Sequence, residues 1–293
     1  MKIAHGPAWV MFLTSVALAA DRMKVPEACI AAPRAQISHE GYAGRVIHRK
    51  SGVELLLVPA GSHTKQEVTF ARPFYVGTTE VTNAQYKKFI EQSGYDGIPD
   101  VDPAYDVYLR HLRGKSIMPQ GDDFPVVYVS WRNARAYCAW AGDLDLPSES
   151  EWEYACRAGT ATHYSFGNNP VQYKEYGWGN RNSGANPHPV AQLKPNAWGL
   201  YDMHGNVWEW CLDDFVRDAA PPPDGSARDA DRITKVLRSG SWSTATQTDK
   251  GGLKYPALAE SRFSSAATNA TNDTGFRVVL RLKPPPPPDS PMK

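Results

Sequence analysis

The sequence predicts an α+β domain that has little regular secondary structure and is rich in loops. Three segments begin with a helix-start signal and end near a glycine, and short apolar runs between them are typical of strands. The rest of the chain is rich in Gly, Pro, Asn and Trp, as expected of turns and irregular loops. Such a domain has to satisfy many backbone N–H and C=O groups through side chains, water or metal ions.

Each predicted helix follows a hydroxyl residue that can accept a hydrogen bond from the first helical turn. Glycine then ends the helix, because it adopts the left-handed conformation without steric cost. In chain order the predictions are Asn83–Gln92 after Thr82 and before Gly94, Trp131–Ala141 after Ser130 and before Gly142, and a helix after Ser148 that carries Trp152 and ends near Gly159. Ser148 and Glu151 have the spacing of a capping box. Short strands are predicted at Val126–Val129, Val236–Arg238 and Phe276–Leu280.

Residues 1–20 have the pattern of a secretory signal peptide. Lys2 supplies a positive start, Trp9–Leu18 is an apolar stretch too short to span a bilayer comfortably, and Ala17–Ala19 fits a small-residue cleavage site. The segment therefore predicts export to the periplasm or the medium. An uncleaved anchor stays open as the alternative.

Three further parts follow the signal. Residues 21–51 form a leader of mixed composition, 52–282 the main domain, and 283–293 a tail that contains five consecutive prolines. The tail predicts extended polyproline II structure, either solvated or offered to a partner domain. A net charge of +1, without a basic run, argues against a nucleic-acid partner. No apolar run beyond the signal reaches membrane length.

Export makes disulfides chemically possible, and the chain has four cysteines. Cys138 lies on the apolar face of the second predicted helix, which favours a buried small hydrophobe. Cys156 and Cys211 each adjoin segments rich in aromatic residues. We predict that these two pair, although connectivity cannot be deduced from sequence.

The segment Gly199–Trp210, GLYDMHGNVWEW, suggests a metal site. Asp202 and Glu209 offer carboxylate oxygens, and Gly205 and Val207 offer main-chain carbonyls. Such a set of hard oxygen ligands suits calcium. The alternative is a tight turn whose acids cap backbone N–H groups beside two core tryptophans.

The same segment resembles the signature of the formylglycine-generating enzyme, or sulfatase-modifying factor (SUMF), family. The resemblance runs collinearly through most of the chain. Its motifs are LLLVPAG at Leu55–Gly61, RPFYVGTTEVTNAQYKKF at Arg72–Phe89, PVVYVSWRNARAYCAWAG at Pro125–Gly142, LPSESEWEYACRAGT at Leu146–Thr160, YSFGN at Tyr164–Asn168, NAWGLYDMHGNVWEW at Asn196–Trp210, VLRSGSW at Val236–Trp242 and GFRVV at Gly275–Val279. The resemblance implies the loop-rich, C-type-lectin-like fold of that family.

The resemblance also implies an oxidase that converts a substrate cysteine to formylglycine with a copper(I) ion held by two thiolates. Soft thiolates are the appropriate ligands for Cu(I). The positions that match the two catalytic cysteines are Thr244 and Asp249, and no cysteine occurs from Leu212 to Lys293. We therefore expect no catalytic residues of the family type and no copper.

Calcium is the cofactor that the resemblance supports, with Asp202, Gly205, Val207 and Glu209 at the family's ligand spacing. A second family site aligns poorly with the loop Trp178–Pro189, where Asn180 is a candidate ligand. Ser241 keeps the family's serine, and we predict a binding groove near Ser241, Trp242 and Arg262. Arg262 and Arg277 could also bridge loops through their fork of N–H donors.

These observations favour an exported, calcium-stabilised pseudoenzyme, that is, a binding or accessory domain whose ligand is a peptide, a glycan or another protein. An oxidoreductase or maturation enzyme that uses other residues on the same fold is the first alternative. Formylglycine generation is the second, and the missing cysteines argue strongly against it.

Overall fold

The computed structural model describes residues 23–63, 65–97, 108–114, 121–230, 232–244 and 257–283. The predicted signal peptide, Asp249 and the proline run of the tail lie outside these ranges. The described strands are β1 Cys29–Ala31, β2 Arg45–His48, β3 Glu54–Val58, β4 Gly61–His63, β5 Val68–Phe70, β6 Phe74–Gly77, β7 Trp208–Asp214, β8 Thr234–Arg238, β9 Phe263–Ala266, β10 Thr274–Gly275 and β11 Val279–Arg281. The helices are α1 Asn83–Ser93, α2 Trp131–Ala141 and α3 Glu149–Arg157, together with a 3-10 helix at Pro170–Glu175.

The strands form three sheets. Five antiparallel strands lie in the order β1-β2-β3-β6-β11, and β4 pairs with β5 in a two-stranded sheet. The third sheet has the order β10-β7-β8-β9, in which only the β10–β7 pair is parallel. β1 and β2 belong to the segment assigned to the leader, so the largest sheet begins before the predicted domain boundary at residue 52. Fold class is thus confirmed as mixed α and β with short elements.

The three predicted helix starts are confirmed. Thr82, Ser130 and Ser148 each cap their helix, and in each case the third helical residue completes a capping box. α1 ends at Gly94 with φ of 69°, in the left-handed region. α3 ends before the predicted glycine, because Ala158 itself adopts φ of 47°.

Two of the predicted strands are corrected. Residues 126–129 form an extended loop, because Tyr128 has φ of 55° and its N–H bonds to Thr271 instead of a neighbouring strand. Of the predicted strand Phe276–Leu280, only Val279 and Leu280 lie in a strand, which is β11, whereas residues 276–278 lie between β10 and β11. Between those strands, Phe276 and Val278 bond to the loop at Gly77 and Val81. The strand at residues 236–238 is confirmed within β8.

Two hydrophobic cores hold these elements together. In the first, α1 and α2 contribute Tyr86, Phe89 and Tyr137, whose rings contact one another and Phe276. In the second, α3 packs against β7 and β8. Within the described residues, no helix has both the length and the apolar character required to cross a membrane.

Candidate functional site

The segment Gly199–Trp210 makes a tight turn and then enters β7. Asp202 and Asn206 have φ of 59° and 64°, a left-handed conformation that Asp and Asn tolerate better than most residues. A side chain on Gly205 would approach the Trp178 carbonyl oxygen to 2.2 Å, so only glycine fits there. The Ser239 hydroxyl accepts from the Gly205 N–H at 3.0 Å and donates to the carbonyls of Asp202 and Gly205. Ser239, the residue directly after β8, therefore fixes the turn.

Glu209 lies at the centre of this region, completely buried. Its Oε2 accepts from Trp152 Nε1 at 2.7 Å and from Arg277 Nε at 2.6 Å, and its Oε1 accepts from a second Arg277 nitrogen at 2.7 Å. Arg277, also with zero exposure, donates further to the carbonyls of Gly77 and Tyr201. The prediction that Arg277 bridges loops is confirmed. Glu209, Arg277 and Trp152 are called the Glu209 centre below.

A second carboxyl group, which the sequence analysis missed, lies close to Asp202. Glu80 and Asp202 are 1% and 2% exposed. Asp202 Oδ2 accepts from the Ala191 N–H, whereas no described donor reaches Asp202 Oδ1 or either oxygen of Glu80. Burial, together with the neighbouring carboxylates, raises the pKa of Glu80 well above its usual range, and burial raises the pKa of Asp202 to about 6. The pair therefore holds a proton to a higher pH than two free carboxyl groups would. Glu80 lies 122 residues upstream, with no local motif to indicate its role.

Two of the four predicted calcium ligands, Glu209 and Gly205, already have other hydrogen-bond partners. Both oxygens of Glu209 already accept from Arg277 and Trp152, and the Gly205 carbonyl accepts from Ser239. A guanidinium within hydrogen-bonding distance of Glu209 also opposes a divalent cation at the same carboxylate. Asn180 is exposed, and its N–H bonds to the Thr244 carbonyl. In the described part of the chain, no three His, Cys, Asp or Glu side chains form a group that could hold a metal ion. Calcium binding by these residues stays a prediction, and the contacts of Glu209 argue against it.

Ser241 lies beside a different carboxylate, Asp273. The Ser241 hydroxyl donates to Asp273 Oδ2 at 3.0 Å, and the Ser241 N–H donates to the Thr244 hydroxyl at 2.8 Å. Trp242 donates from its indole nitrogen to the Asn272 carbonyl at 3.3 Å. Ser241, Trp242 and Thr244 therefore share one site with Asp273, a residue that no sequence motif had indicated.

Arg262, the third residue of the predicted groove, bonds to residues other than Ser241 and Trp242. Its Nη2 donates to Glu149 at 2.8 Å, and its guanidinium lies over the Phe215 ring. Glu149 in turn accepts from Arg238, which also pairs with Glu153 at 2.7 Å. Arg262 thus belongs to an ion-pair network that joins α3 to β8, consistent with a loop-bridging role. The binding groove near Ser241, Trp242 and Arg262 stays a prediction.

The four cysteines are all free and buried. The predicted Cys156–Cys211 disulfide is therefore not formed. Both residues lie in the second hydrophobic core, where the Cys156 thiol donates to the Met203 carbonyl at 3.6 Å. Burial raises the pKa of the Cys29 and Cys138 thiols to about 12, and it raises the pKa of Cys156 and Cys211 as well. None is an accessible thiolate, which is the form that binds Cu(I).

His204 is held as a neutral side chain beside a small cluster of Tyr164, Phe166 and Ala257. Its Nδ1 lies 2.9 Å from the Ala257 carbonyl, which requires a proton on that nitrogen, and its Nε2 accepts from the Ser165 N–H at 3.0 Å. Burial lowers the pKa of His204 to about 4. Both ring nitrogens are therefore committed to backbone groups, a structural role.

The comparisons with known proteins agree with this architecture. The family described as sulfatase-modifying factor enzyme 1-like domain matches residues 43–282. A formylglycine-generating enzyme of Streptomyces coelicolor is 31% identical over 75% of this chain and 82% of its own length. An inactive C-alpha-formylglycine-generating enzyme 2 of Bos taurus is 30% identical over 77% of this chain and 83% of its own length.

Solved structures give the same result for the fold. PvdO from Pseudomonas aeruginosa superposes with a TM-score of 0.62 and 25% identity, covering 80% of this chain and 96% of that one. Treponema denticola variable protein 1 superposes with a TM-score of 0.60 and 23% identity, covering 86% and 100% of the two chains. At 23% identity, the likeness to variable protein 1 concerns the fold alone.

Proposed function

Since the chain belongs to the sulfatase-modifying factor domain family, we propose that it is an exported binding or accessory member that does not generate formylglycine. The single observation that carries the proposal is where the chain's cysteines lie. The chain has no cysteine after residue 211, and the four that it has are buried in the cores. A thiolate pair for Cu(I) cannot be assembled from them without unpacking the domain.

The contacts around the family's cysteine position support the proposal. Thr244 accepts the Ser241 N–H on its hydroxyl and donates its own N–H to the Ser241 carbonyl, so it closes a turn. A threonine in this place has a structural use and offers copper no soft ligand. A relative named as inactive covers a similar length of this chain as the relative named as an enzyme.

Export is proposed from the first twenty residues, whose pattern is that of a signal peptide. A peptide, glycan or protein is the proposed type of ligand. Its binding surface would include Trp242 and Ser241, because aromatic and polar side chains on loops are the usual means of recognition. Calcium stabilisation was predicted together with this role, and melting in chelator tests it separately.

The proposal is tested by oxygen consumption on cysteine-containing peptides, with the full chain loaded with copper(I). The Streptomyces coelicolor relative, assayed in parallel, shows that the peptides and the loading procedure work. We expect oxygen uptake by the relative and none by this chain, with mass spectrometry finding no aldehyde in the peptide. Turnover accompanied by stoichiometric copper or iron would overturn the proposal in favour of an oxidoreductase.

The variant Thr244→Cys supplies an internal control. One thiol is not a two-thiolate site, so copper retention should rise without peptide oxidation. Peptide oxidation by the unchanged chain would show that the lost cysteines are not what limits activity.

A further inference from the structure

The Asp273 carboxylate is surrounded by hydroxyl groups. Ser241 and Ser243 donate to its Oδ2 at 3.0 and 3.1 Å, and Thr271 donates to its Oδ1 at 2.8 Å. Among the described residues, no Lys, Arg or His forms an ion pair with it. Asp273, Ser241, Ser243 and Thr271 are called the Asp273 cluster below.

The direction of these hydrogen bonds determines what the cluster offers a ligand. A hydroxyl has one hydrogen and two lone pairs, and the contact distances let each of the three hydrogens point at the carboxylate. The cluster then presents lone pairs and a negative charge that no described cation compensates. The complementary group carries several donors, a positive charge and no acceptor. A primary ammonium has three N–H donors and no acceptor, so it fits this description.

The surroundings place the cluster where a ligand can reach it. Ser243 is exposed, and Asp273 and Trp242 are half-buried. The Trp242 indole bonds to the Asn272 carbonyl, so an aromatic ring lies next to the carboxylate's own loop. An aromatic face attracts an organic cation but offers no ligand to a metal ion. With a single carboxylate, the cluster also lacks the charge with which calcium sites are normally built.

The cluster is held rigidly by the backbone. The Trp208 N–H donates to the Asp273 carbonyl and the Trp242 N–H donates to the Asn206 carbonyl, each at 2.8 Å. Both bonds anchor the cluster to the segment Gly199–Trp210. A site whose groups are already oriented loses little entropy when a ligand binds.

We propose that the Asp273 cluster, together with Trp242, binds a primary ammonium group of a peptide or protein ligand. The ammonium is that of a lysine side chain or of a chain amino terminus. It replaces the Ser243 hydrogen bond to Asp273 and leaves the bonds of Ser241 and Thr271 in place. This inference rests on the proposed binding function and specifies the chemistry that the ligand presents.

The probe is N-acetyl-lysine methylamide, titrated into the full chain and followed by NMR. Three related probes accompany it: the norleucine analogue without the charge, the Nε-acetylated lysine, and glycine methylamide, which carries only an α-ammonium. We expect the lysine probe to bind at least tenfold more tightly than the norleucine and acetylated probes. The glycine probe separates the two sources, because its binding would assign the site to chain termini.

Asp273→Asn should weaken the lysine probe at least tenfold, because it removes the charge and keeps the shape. The matched control is Asp122→Asn, which removes an exposed carboxylate paired with Lys87. If Asp273→Asn does not fold, Ser243→Lys serves instead, since Ser243 is exposed. Its own ammonium should occupy the cluster and abolish probe binding while the melting temperature is preserved.

Equal binding of the lysine and norleucine probes would overturn the inference, as would unchanged affinity in both variants. Calcium ions serve as a competitor. If calcium displaces the probe, Asp273→Asn destroys the calcium affinity and the cluster shows no selectivity for lysine, the cluster is a metal site.

These failures are distinct from failure of the proposed function. A chain that ignores the probe and also consumes no oxygen loses only this inference, whereas oxidation of cysteine peptides refutes the function itself.

Discussion

Two carboxylates, one on β7 and one just before its neighbour β10, have opposite environments. Glu209 lies on β7 and Asp273 directly precedes β10, which pairs with β7 so that Thr274 is opposite Trp208. Glu209 is fully buried and saturated by three N–H groups of Arg277 and Trp152. Asp273 is half-buried, and the side chains that bond to it within the described ranges are all hydroxyls. The first environment leaves no vacancy for a ligand, whereas the second leaves a charge without a counterion among the described residues.

The contrast separates what identifies the fold from what can vary in function. The segment Gly199–Trp210 carries part of the family resemblance. Within it, Glu209, Gly205 and the two tryptophans hold loops together. The adjacent turn at residues 241–244 is where the family's copper ligands begin, and here it offers oxygen instead of sulfur. Strong sequence similarity at the Glu209 centre therefore predicts architecture and is silent about chemistry.

The largest expected effect comes from breaking the Glu209 centre. Arg277→Met leaves a buried carboxylate without its cation, which typically costs about 3–5 kcal/mol of unfolding free energy. Urea denaturation of the full chain measures it. The control is Glu175→Gln, which removes an exposed ion pair with Lys194 and should leave the midpoint unchanged. A loss as small as that of the control would show that Arg277 and Glu209 are not paired in solution.

A second large effect concerns pH, through His204 in the same segment. Its pKa is lowered from 6.5 to about 4 by burial, so the unfolded chain binds a proton in this interval and the folded chain does not. Stability contributed by the neutral ring is complete above pH 6.5 and is lost as the pH falls towards 4, by about 3 kcal/mol in all. The raised pKa of Asp202 acts in the opposite direction, because the folded state then retains a proton that the unfolded state releases.

Comparison with His204→Asn isolates the histidine contribution. In denaturation experiments between pH 7 and pH 4.5, the parent chain should lose more unfolding free energy, or gain less, than the variant does. The same dependence in both proteins would mean that His204 titrates normally, and the core around Ser165 would then have to be open to water.

The sequence predicted the local features well and the long-range ones poorly. The capping boxes at Thr82, Ser130 and Ser148 are local, because the cap and its partner are three residues apart. The identity of the scaffold was likewise readable from collinear motifs. The role of Glu80, in contrast, depends on a residue 122 positions away, and no period or spacing encodes such a pairing.

Two predictions are wrong for different physical reasons. Residues 126–129 have the composition of a strand, but the left-handed backbone at Tyr128 prevents a ladder from forming. Cys156 and Cys211 do reach one hydrophobic core, yet proximity in a core does not supply disulfide geometry.

A smaller effect is expected at the Asp273 cluster. Asp273→Asn keeps an acceptor for one hydroxyl, and the serine and threonine hydroxyls can rotate towards water, so the cost is about 1 kcal/mol. Urea denaturation of Asp273→Asn and Arg277→Met under the same conditions compares the unfolding free energy that each carboxylate site contributes. A loss at Asp273 as large as that at Arg277 would contradict the contrast, because it would make the cluster a structural centre as well.

The smallest expected effect is that of calcium on the melting temperature. It tests whether the Glu209 oxygens are closed to a ligand, as the comparison states. If Glu209 were a calcium ligand, a hundredfold excess of calcium over its dissociation constant would stabilise the chain by about 2.7 kcal/mol, and chelation would remove that gain. Because Arg277 and Trp152 already occupy the Glu209 oxygens, we expect equal melting temperatures in millimolar calcium and in EDTA.

Glu80→Gln extends the test, since the oxygens of Glu80 and Asp202 are the ones that no described donor reaches. A calcium-dependent rise in melting temperature that Glu80→Gln abolishes would locate an ion at this carboxyl pair. A rise that Glu209→Gln abolishes and Glu80→Gln leaves intact would restore the ligand set predicted from sequence, and Arg277 would then have to move aside when the ion binds.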